Sequence, residues 1–281
     1  MKLLFASFLL FLGVCESIAS AQSTDQVAAL LEAKQNKDVV LRNYYANDNL
    51  TFDSTGRLVS TGRVGFGPSD GRVYVEKIKL EPDRLILIGE RTVPFYDEGS
   101  GSFKQMVTNR SVKIEISLSP GQPAADTIVP LLNTVFLQES ELDNLKCPAD
   151  GAEEFRDRLA RARELDHGPR PKMPEIKNLQ EVTPLCFPFG ERAYPVGRGI
   201  SPADWRRTPG IEAFQHPGTG VIMLIVDTNG NPTSLYVARS VGHDGDERMI
   251  SALRKLKFKA ARFRGAPVPS VFTITLRGLP N

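Results

Sequence analysis

A chain of 281 residues with 41% hydrophobic and 24% charged side chains has the balance of an ordinary folded protein, long enough for two modest cores. A formal net charge of +2 sets aside bulk electrostatic attraction to nucleic acid or to a membrane surface.

Met1-Lys2, the apolar run Leu3 to Val14 and then Ala19-Ser20-Ala21 read as a secretory signal with a small-x-small cleavage site after Ala21. The apolar run is about a dozen residues, short of the ~20 that a spanning helix needs. Cys15 follows Val14, where a lipidated amino terminus wants a small residue, so lipidation is not expected. The chain is therefore expected to be periplasmic or secreted once residues 1–21 are removed. Retention of that segment as an inner-membrane anchor is the alternative.

Residues 22–166 read as a β-rich domain. Thr24 or Asp25 caps a first helix carrying Val27, Leu30 and Leu31 on one side. Strands follow at Leu50-Thr51-Phe52, at Leu58-Val59 and at Val64-Gly65-Phe66. In Val73 to Leu80 the apolar phase slips between Val75 and Ile78, which predicts a bulge near Glu76-Lys77. Arg84 to Gly89 contains Leu85-Ile86-Leu87-Ile88 and looks buried on both faces, and Asp97 to Ser102 is an acidic Gly/Ser loop. Val112, Ile114, Ile116 and Leu118 alternate with Lys113 and Glu115, the pattern of a half-exposed strand. Even spacing without intervening helices predicts a curved antiparallel meander. Two helices are expected to cover it: one over Thr127 to Leu137, capped by Asp126 with Pro130 in its first turn, and one over Glu153 to Leu165 with Phe155, Leu159 and Ala162 on one face.

Residues 167–190 carry Pro169, Pro171, Pro174, Pro184 and Pro188 without periodicity and read as a semi-rigid linker. Cys147 and Cys186 remain after signal removal. In an oxidising compartment they either pair or stand as isolated thiols, and the sequence leaves both open. A bond would be worth about 3–4 kcal/mol in the chain-entropy view.

Residues 191–281 form the second domain. Val221 to Val226 is an unbroken apolar run rich in β-branched residues. Thr228-Asn229-Gly230-Asn231-Pro232 is a hairpin signal, and Ser234 to Ser240 is the return strand. A helix begins near Asp244 or Asp246, with Met249, Ile250, Leu253 and Leu256 on one face. After Gly265-Ala266-Pro267 the last strand alternates: Phe272, Ile274 and Leu276 face one way, and Val271, Thr273, Thr275 and Arg277 the other. A helix between the second and third strands reverses the chain, so the third strand can pair antiparallel beside the first. The order is then two-one-three, which suits the one strand that is apolar on both faces. The third strand becomes a free edge able to accept an added strand, and Pro269 at its start is tolerated on such an edge.

This segment resembles a TonB carboxyl-terminal domain. The likeness rests on Gly220-Val221-Ile222 leading to Val226-Asp227-Thr228-Asn229-Gly230 and on Val237-Ala238-Arg239-Ser240-Val241-Gly242. It continues in Asp246-Glu247, Ala252-Leu253, Leu256-Lys257-Phe258-Lys259-Ala260-Ala261, Gly265-Ala266-Pro267-Val268 and the upstream stretch Ala193 to Ser201. It covers about the last third of the chain. Leu256 stands where the family has Trp and Ala260 where it has Pro, and Pro209-Gly210 interrupts the expected first helix over Ala203 to His216. The resemblance implies docking of a TonB-dependent outer-membrane receptor or another periplasmic protein by strand addition at Val271, Phe272, Thr273, Ile274, Thr275, Leu276 and Arg277, in transmembrane transport. Without an anchoring helix or a long Pro-rich spacer, full energy transduction is not expected. The alternatives are that the chain before Gly218 covers this edge, or that a second copy pairs along it in a homodimer.

Nothing in the chain marks catalysis. His243-Asp244-Gly245-Asp246-Glu247 holds metal-ligand residue types, but a turn and helix cap explain it better. No Cys-x-x-Cys, His-Glu-x-x-His or Gly-x-Ser-x-Gly occurs. Gly62, Gly65, Gly67 and Gly71 lack the Lys-Ser/Thr and the helix of a phosphate loop and read as turn and bulge glycines. Arg254, Lys255, Lys257, Lys259, Arg262 and Arg264 with Phe258 and Phe263 form the densest basic run, which helix-end cations and core aromatics explain better than nucleic-acid binding does. The expectation is an α+β protein that is not an enzyme and takes no cofactor: a β-rich meander with packed helices, then a ββαβ domain with a three-stranded antiparallel sheet. The alternative function is a carrier of an apolar small molecule or lipid, lined by Leu85, Leu87, Val112, Ile114 and Ile116.

Overall fold

The computed structural model describes residues 27–119, 125–145, 147, 149–164, 175–182, 184–187, 190–197, 199–205 and 218–277. Residues 1–21, expected to be a signal and including Cys15, together with Thr24, Asp25, His167, His216 and Pro209-Gly210, lie outside the described residues.

A short helix α1 over 27–32 leads to β1 (Lys37–Val40), β2 (Asn49–Phe52), β3 (Arg72–Leu80), β4 (Arg84–Asp97) and β5 (Ser102–Ser117). Three helices follow, α2 (Ala125–Val135), α3 (Glu139–Asp143) and α4 (Ala149–Arg163). Two-residue strands β6 (Leu185–Cys186), β7 (Arg192–Ala193) and β8 (Asp204–Trp205) precede β9 (Thr219–Val226) and β10 (Pro232–Arg239). The chain closes with α5 (His243–Arg254), β11 (Phe258–Lys259), β12 (Arg262–Phe263), β13 (Ala266–Pro267) and β14 (Ser270–Arg277). Among the described residues, no helix is long and apolar enough to cross a membrane. The fold is mixed α+β, as expected.

One eight-stranded sheet runs β1-β3-β4-β10-β9-β14, with β5 also on β4 and β2 beside β5. The meander is antiparallel through β3, β4 and β5, but β2 pairs with β5 in parallel. Val75 faces Gly89 and Lys77 faces Ile88, so Glu76 is the extra residue of a bulge where the apolar phase slips. β4 extends well past Gly89. Its first half lies between β3 and β5, and near its end Phe95 bridges in parallel to Val237 of β10. The β-rich half and the carboxyl-terminal half are thus parts of one sheet, joined at β4 and β10.

The inward faces of β1 to β5 pack under α1 and α2 through Leu85, Leu87, Val112, Ile114, Ile116, Ile128 and Leu132. The residual space beside Leu85 and Leu87 is only about 10 Å³, about one water-sized sphere. That space is too small for a lipid or another apolar ligand.

The three strands expected to form a separate carboxyl-terminal sheet belong to one sheet of eight, because β10 also has β4 beside it, and the stretches at Leu58 and Val64 form only isolated bridges. Further expectations are corrected. Residues 167–190 are not linker throughout: Ile176, Val182, Leu185 and Phe187 are buried, and β6 pairs with β7. Prolines suppress periodicity there, but the apolar residues between them still fill a core. The helix α4 covers more than the meander: Phe155 meets Phe103 of β5 and Arg163 lies over the Tyr96 ring of β4, but the helix reaches further. Its Phe155 and Leu159 also pack with Tyr236 of β10, Phe187 and Val221, on the face of the second sheet half opposite α5.

Candidate functional site

The last three long strands stand in the order β10-β9-β14. β9 is wholly buried from Val221 to Val226. Ile222, Leu224 and Val226 pack under α5 with Met249, Ile250 and Leu253, whereas Val221, Met223 and Ile225 pack under α4. The β9–β10 turn is held by the Asp227 carboxylate, which accepts from Asn229 N–H and Asn231 N–H, each at 2.8 Å. Gly230 supplies the φ of +79° that closes it.

Each residue of β14 pairs antiparallel with β9, from Ser270 on Val226 to Arg277 on Thr219. Ile274 and Leu276 are buried on the α5 side with Phe272 partly so, and Val271 lies on the α4 side. Among the described residues, the outer edge is occupied only at its start. Tyr194 N–H donates to Pro269 O at 3.0 Å, and Val271 N–H donates to Tyr194 O at 3.1 Å. That fixes which main-chain groups point outward. By the alternation of a strand, those of Thr273, Thr275 and Arg277 point the same way as those of Val271. Among the described residues, no hydrogen bond meets Thr273 or Thr275 on that side. Of the seven residues expected to dock a partner, Val271 therefore already spends its outward donor on Tyr194. Phe272, Ile274 and Leu276 direct theirs to β9.

Cys147 and Cys186 form a disulfide, which ties the chain ahead of α4 to β6. Next to it a polar joint crosses between the sheet halves. Glu191, 2% exposed, accepts from Ser69 N–H at 2.7 Å, from the Ser69 hydroxyl and from the Tyr236 hydroxyl. Burial pushes the Glu191 carboxyl up, and these donors only partly oppose it. Tyr236 is pushed well up by burial and by the adjacent carboxylate. The glycines of the 62–71 loop do serve close approaches: a Cβ at Gly67 would collide with Glu191.

The histidine cluster does not assemble a metal site. Asp246 accepts from Ser240 Oγ at 2.5 Å and Val241 N–H at 3.0 Å, holding the strand-to-helix turn. Among the described residues, no three His, Cys, Asp or Glu side chains group to hold an ion. The basic run also disperses. Lys257 Nζ donates to Asn231 Oδ1 at 2.7 Å, Arg264 lies over the Phe263 ring, and Arg254 turns toward a cavity beside β4. Tyr194 lies in the upstream stretch of the resemblance and is the part of the chain before Gly218 that meets the outer edge of β14; the residues with no reading in the sequence are Ser69 with Glu191, and Arg91 with Arg110. An arginine inside a strand that otherwise buries its neighbours was the one available signal, and it lay in a stretch not read as strand.

No known protein family, curated protein or solved structure matches the chain.

Proposed function

We propose that this protein is exported and docks a partner protein by strand addition along the outer edge of β14. The observation that carries this reading is the pair of outward main-chain positions at Thr273 and Thr275, which no described residue meets, on a strand fixed along its whole length to β9. The resemblance to TonB tails supports a receptor of the outer membrane, or another periplasmic protein, as that partner. Rigidity favours the mode: β14 is held by β9 and by apolar contacts under α5, so little ordering entropy is lost when a peptide arrives.

The test is capture of partners by the full chain, comparing wild type with Thr273→Pro. Proline there removes an outward donor and places its ring on the docking side, while the ladder to β9 keeps its bonds. Loss of capture with an unchanged melting curve is the expected result. Phe272→Pro would instead remove a donor to β9 and lower the melting temperature. Equal capture by wild type and Thr273→Pro would end the proposal.

A further inference from the structure

A cavity of about 450 Å³ opens where the two halves of the sheet meet, between the middle of β4 and β5, the start of β10 and the last turns of α5. Its lining is strongly one-signed. Arg63, Arg91, Arg110, Arg254 and Lys255 face Asp70 and Glu247, five cations against two carboxylates. Asp48, behind the wall, lies 2.6 Å from Arg110 and offsets a third charge, which leaves two unmatched.

The fold consumes these cations only in part: Arg110 pairs with Asp48 and its Nη2 donates to Ala46 O at 2.6 Å. Arg91 is 2% exposed; its Nη1 donates to Asp70 O at 3.2 Å and its Nη2 to Asn47 O, both neutral carbonyls. Its Nε has no hydrogen-bond partner. Arg254 makes no hydrogen bond or ion pair among the described residues. Both Asp70 oxygens are engaged, by Ser234 N–H at 3.0 Å and Phe66 N–H at 2.7 Å. Glu247 Oε2 is buried with no partner. Pinning the loops at Asn47 and Asp70 accounts for the two Nη atoms of Arg91, but not for its Nε, for Arg254 or for the idle Glu247 oxygen. A buried guanidinium donor and a buried carboxylate acceptor left open in one cavity each cost stability unless something meets them.

We propose that this cavity binds a small phosphate monoester, with the phosphate between Arg91 Nε and Arg254 and a hydroxyl or amino group of the ligand donating to Glu247. The volume lies within the usual range for small-molecule sites. Two unmatched positive charges suit a phosphate dianion better than a single carboxylate, and planar guanidinium forks fit phosphate oxygens. Burial and the neighbouring Arg110 charge bring Arg91 down to about 9 and Arg254 down to about 10. Both stay charged at neutral pH, and an anion would relieve them. The site lies beside β10, with β9 between it and β14, and does not depend on the docking reading.

The test is calorimetric titration of the full chain with glycerol 3-phosphate, inorganic phosphate, glycerol and succinate. Saturable binding of glycerol 3-phosphate is expected, weaker binding of inorganic phosphate, and none of glycerol. Arg254→Gln should weaken both phosphate compounds by about tenfold or more, the loss expected when a charge-assisted bond is removed. Glu247→Gln removes a like charge from the lining and should tighten inorganic phosphate, while glycerol 3-phosphate gains less because its hydroxyl loses an ionised acceptor. Arg63→Gln, at an exposed loop position, should weaken phosphate binding without touching the core. It keeps the test open if Arg254→Gln perturbs the helix. No saturable heat from either phosphate compound at millimolar concentration, succinate binding without phosphate binding, or Arg63→Gln and Arg254→Gln both binding as wild type would overturn the proposal.

Discussion

Arg91 and Glu191 are both almost wholly buried, and the chain treats their charges in opposite ways. Arg91 keeps its charge among neutral carbonyls beside an open cavity. Glu191 is closed in by Ser69 and Tyr236, and burial raises its carboxyl above the ordinary glutamate value of 4.5. The folded state therefore holds a proton that the unfolded chain gives up at lower pH. Its contribution to stability is fully present below 4.5 and is lost as pH rises through the folded value. Glu191→Gln can keep the joint, since an amide oxygen still accepts from Ser69 and the amide group can donate to the Tyr236 oxygen. Denaturant midpoints measured across acidic to neutral pH should then show the variant without the part of the decline that begins near 4.5, and gaining on wild type as pH rises. A parallel pair of curves would assign the pH dependence elsewhere. At Gly230 the demand is on the backbone: an alanine would meet both the positive φ and the Phe258 carbonyl. Gly230→Ala should cost about 1–3 kcal/mol in equilibrium unfolding. The turn glycine was legible because Asn229-Gly230 is a local signal. The Ser69–Glu191–Tyr236 joint was not, since its members lie 122 and 45 positions from Glu191. A tyrosine hydroxyl in an apolar strand asks for a partner without saying which.

The packed elements of the second half follow from patterns that two short periods explain. Period two put Ile274 and Leu276 on one side of β14, and helical spacing put Met249, Ile250 and Leu253 on one side of α5. What covers the opposite face of β9 and β10 could not be read this way. The covering helix α4 is amphipathic wherever it packs, and only the assembled sheet decides its site. Phe155 and Phe187 have ring centres 4.8 Å apart, and Phe187 and Tyr236 likewise 4.8 Å, so α4, the residue that follows β6, and β10 share one aromatic cluster. The disulfide holds this cluster together by closing a loop across 39 positions. Its chain-entropy contribution is about 4 kcal/mol. Cys186→Ser should lower unfolding free energy by about that amount, Cys147→Ser by a similar amount, and the double variant by little more than either alone, because one bond is lost in each case. Guanidinium melts with and without reductant would check this. Single-variant losses that add in full would show that each sulfur contributes apart from the bond.

The sheet sets the scale at which the molecule behaves as a unit. Composition allowed two cores, and the prolines of 167–190 suggested where to divide them. Strand pairing between distant segments has no local signature, so the bridge from Phe95 to Val237 was invisible. Arg91 and Pro94 broke the apolar run that would have extended β4 toward it. The carboxyl-terminal half does not own all of its covering layers. Val221, Met223, Ile225, Tyr236 and Ala238 are buried by α4, Leu185 and Phe187, which belong to earlier chain. A fragment of residues 191–281 would expose that apolar face and lose the disulfide. It should therefore bind a hydrophobic dye and lack the near-ultraviolet dichroism of fixed aromatic packing, while keeping strand signal. The full chain should unfold in one transition, with calorimetric and van't Hoff enthalpies in agreement. Two resolved transitions, or a fragment with fixed tertiary packing, would mean that the β4–β10 junction and α4 couple the halves only weakly. Strong coupling also bears on docking: a peptide added at β14 would then extend a sheet that continues through β9, β10 and β4 to β5 and β2, and the load on that edge would pass through β9 and β10 into the first half of the chain.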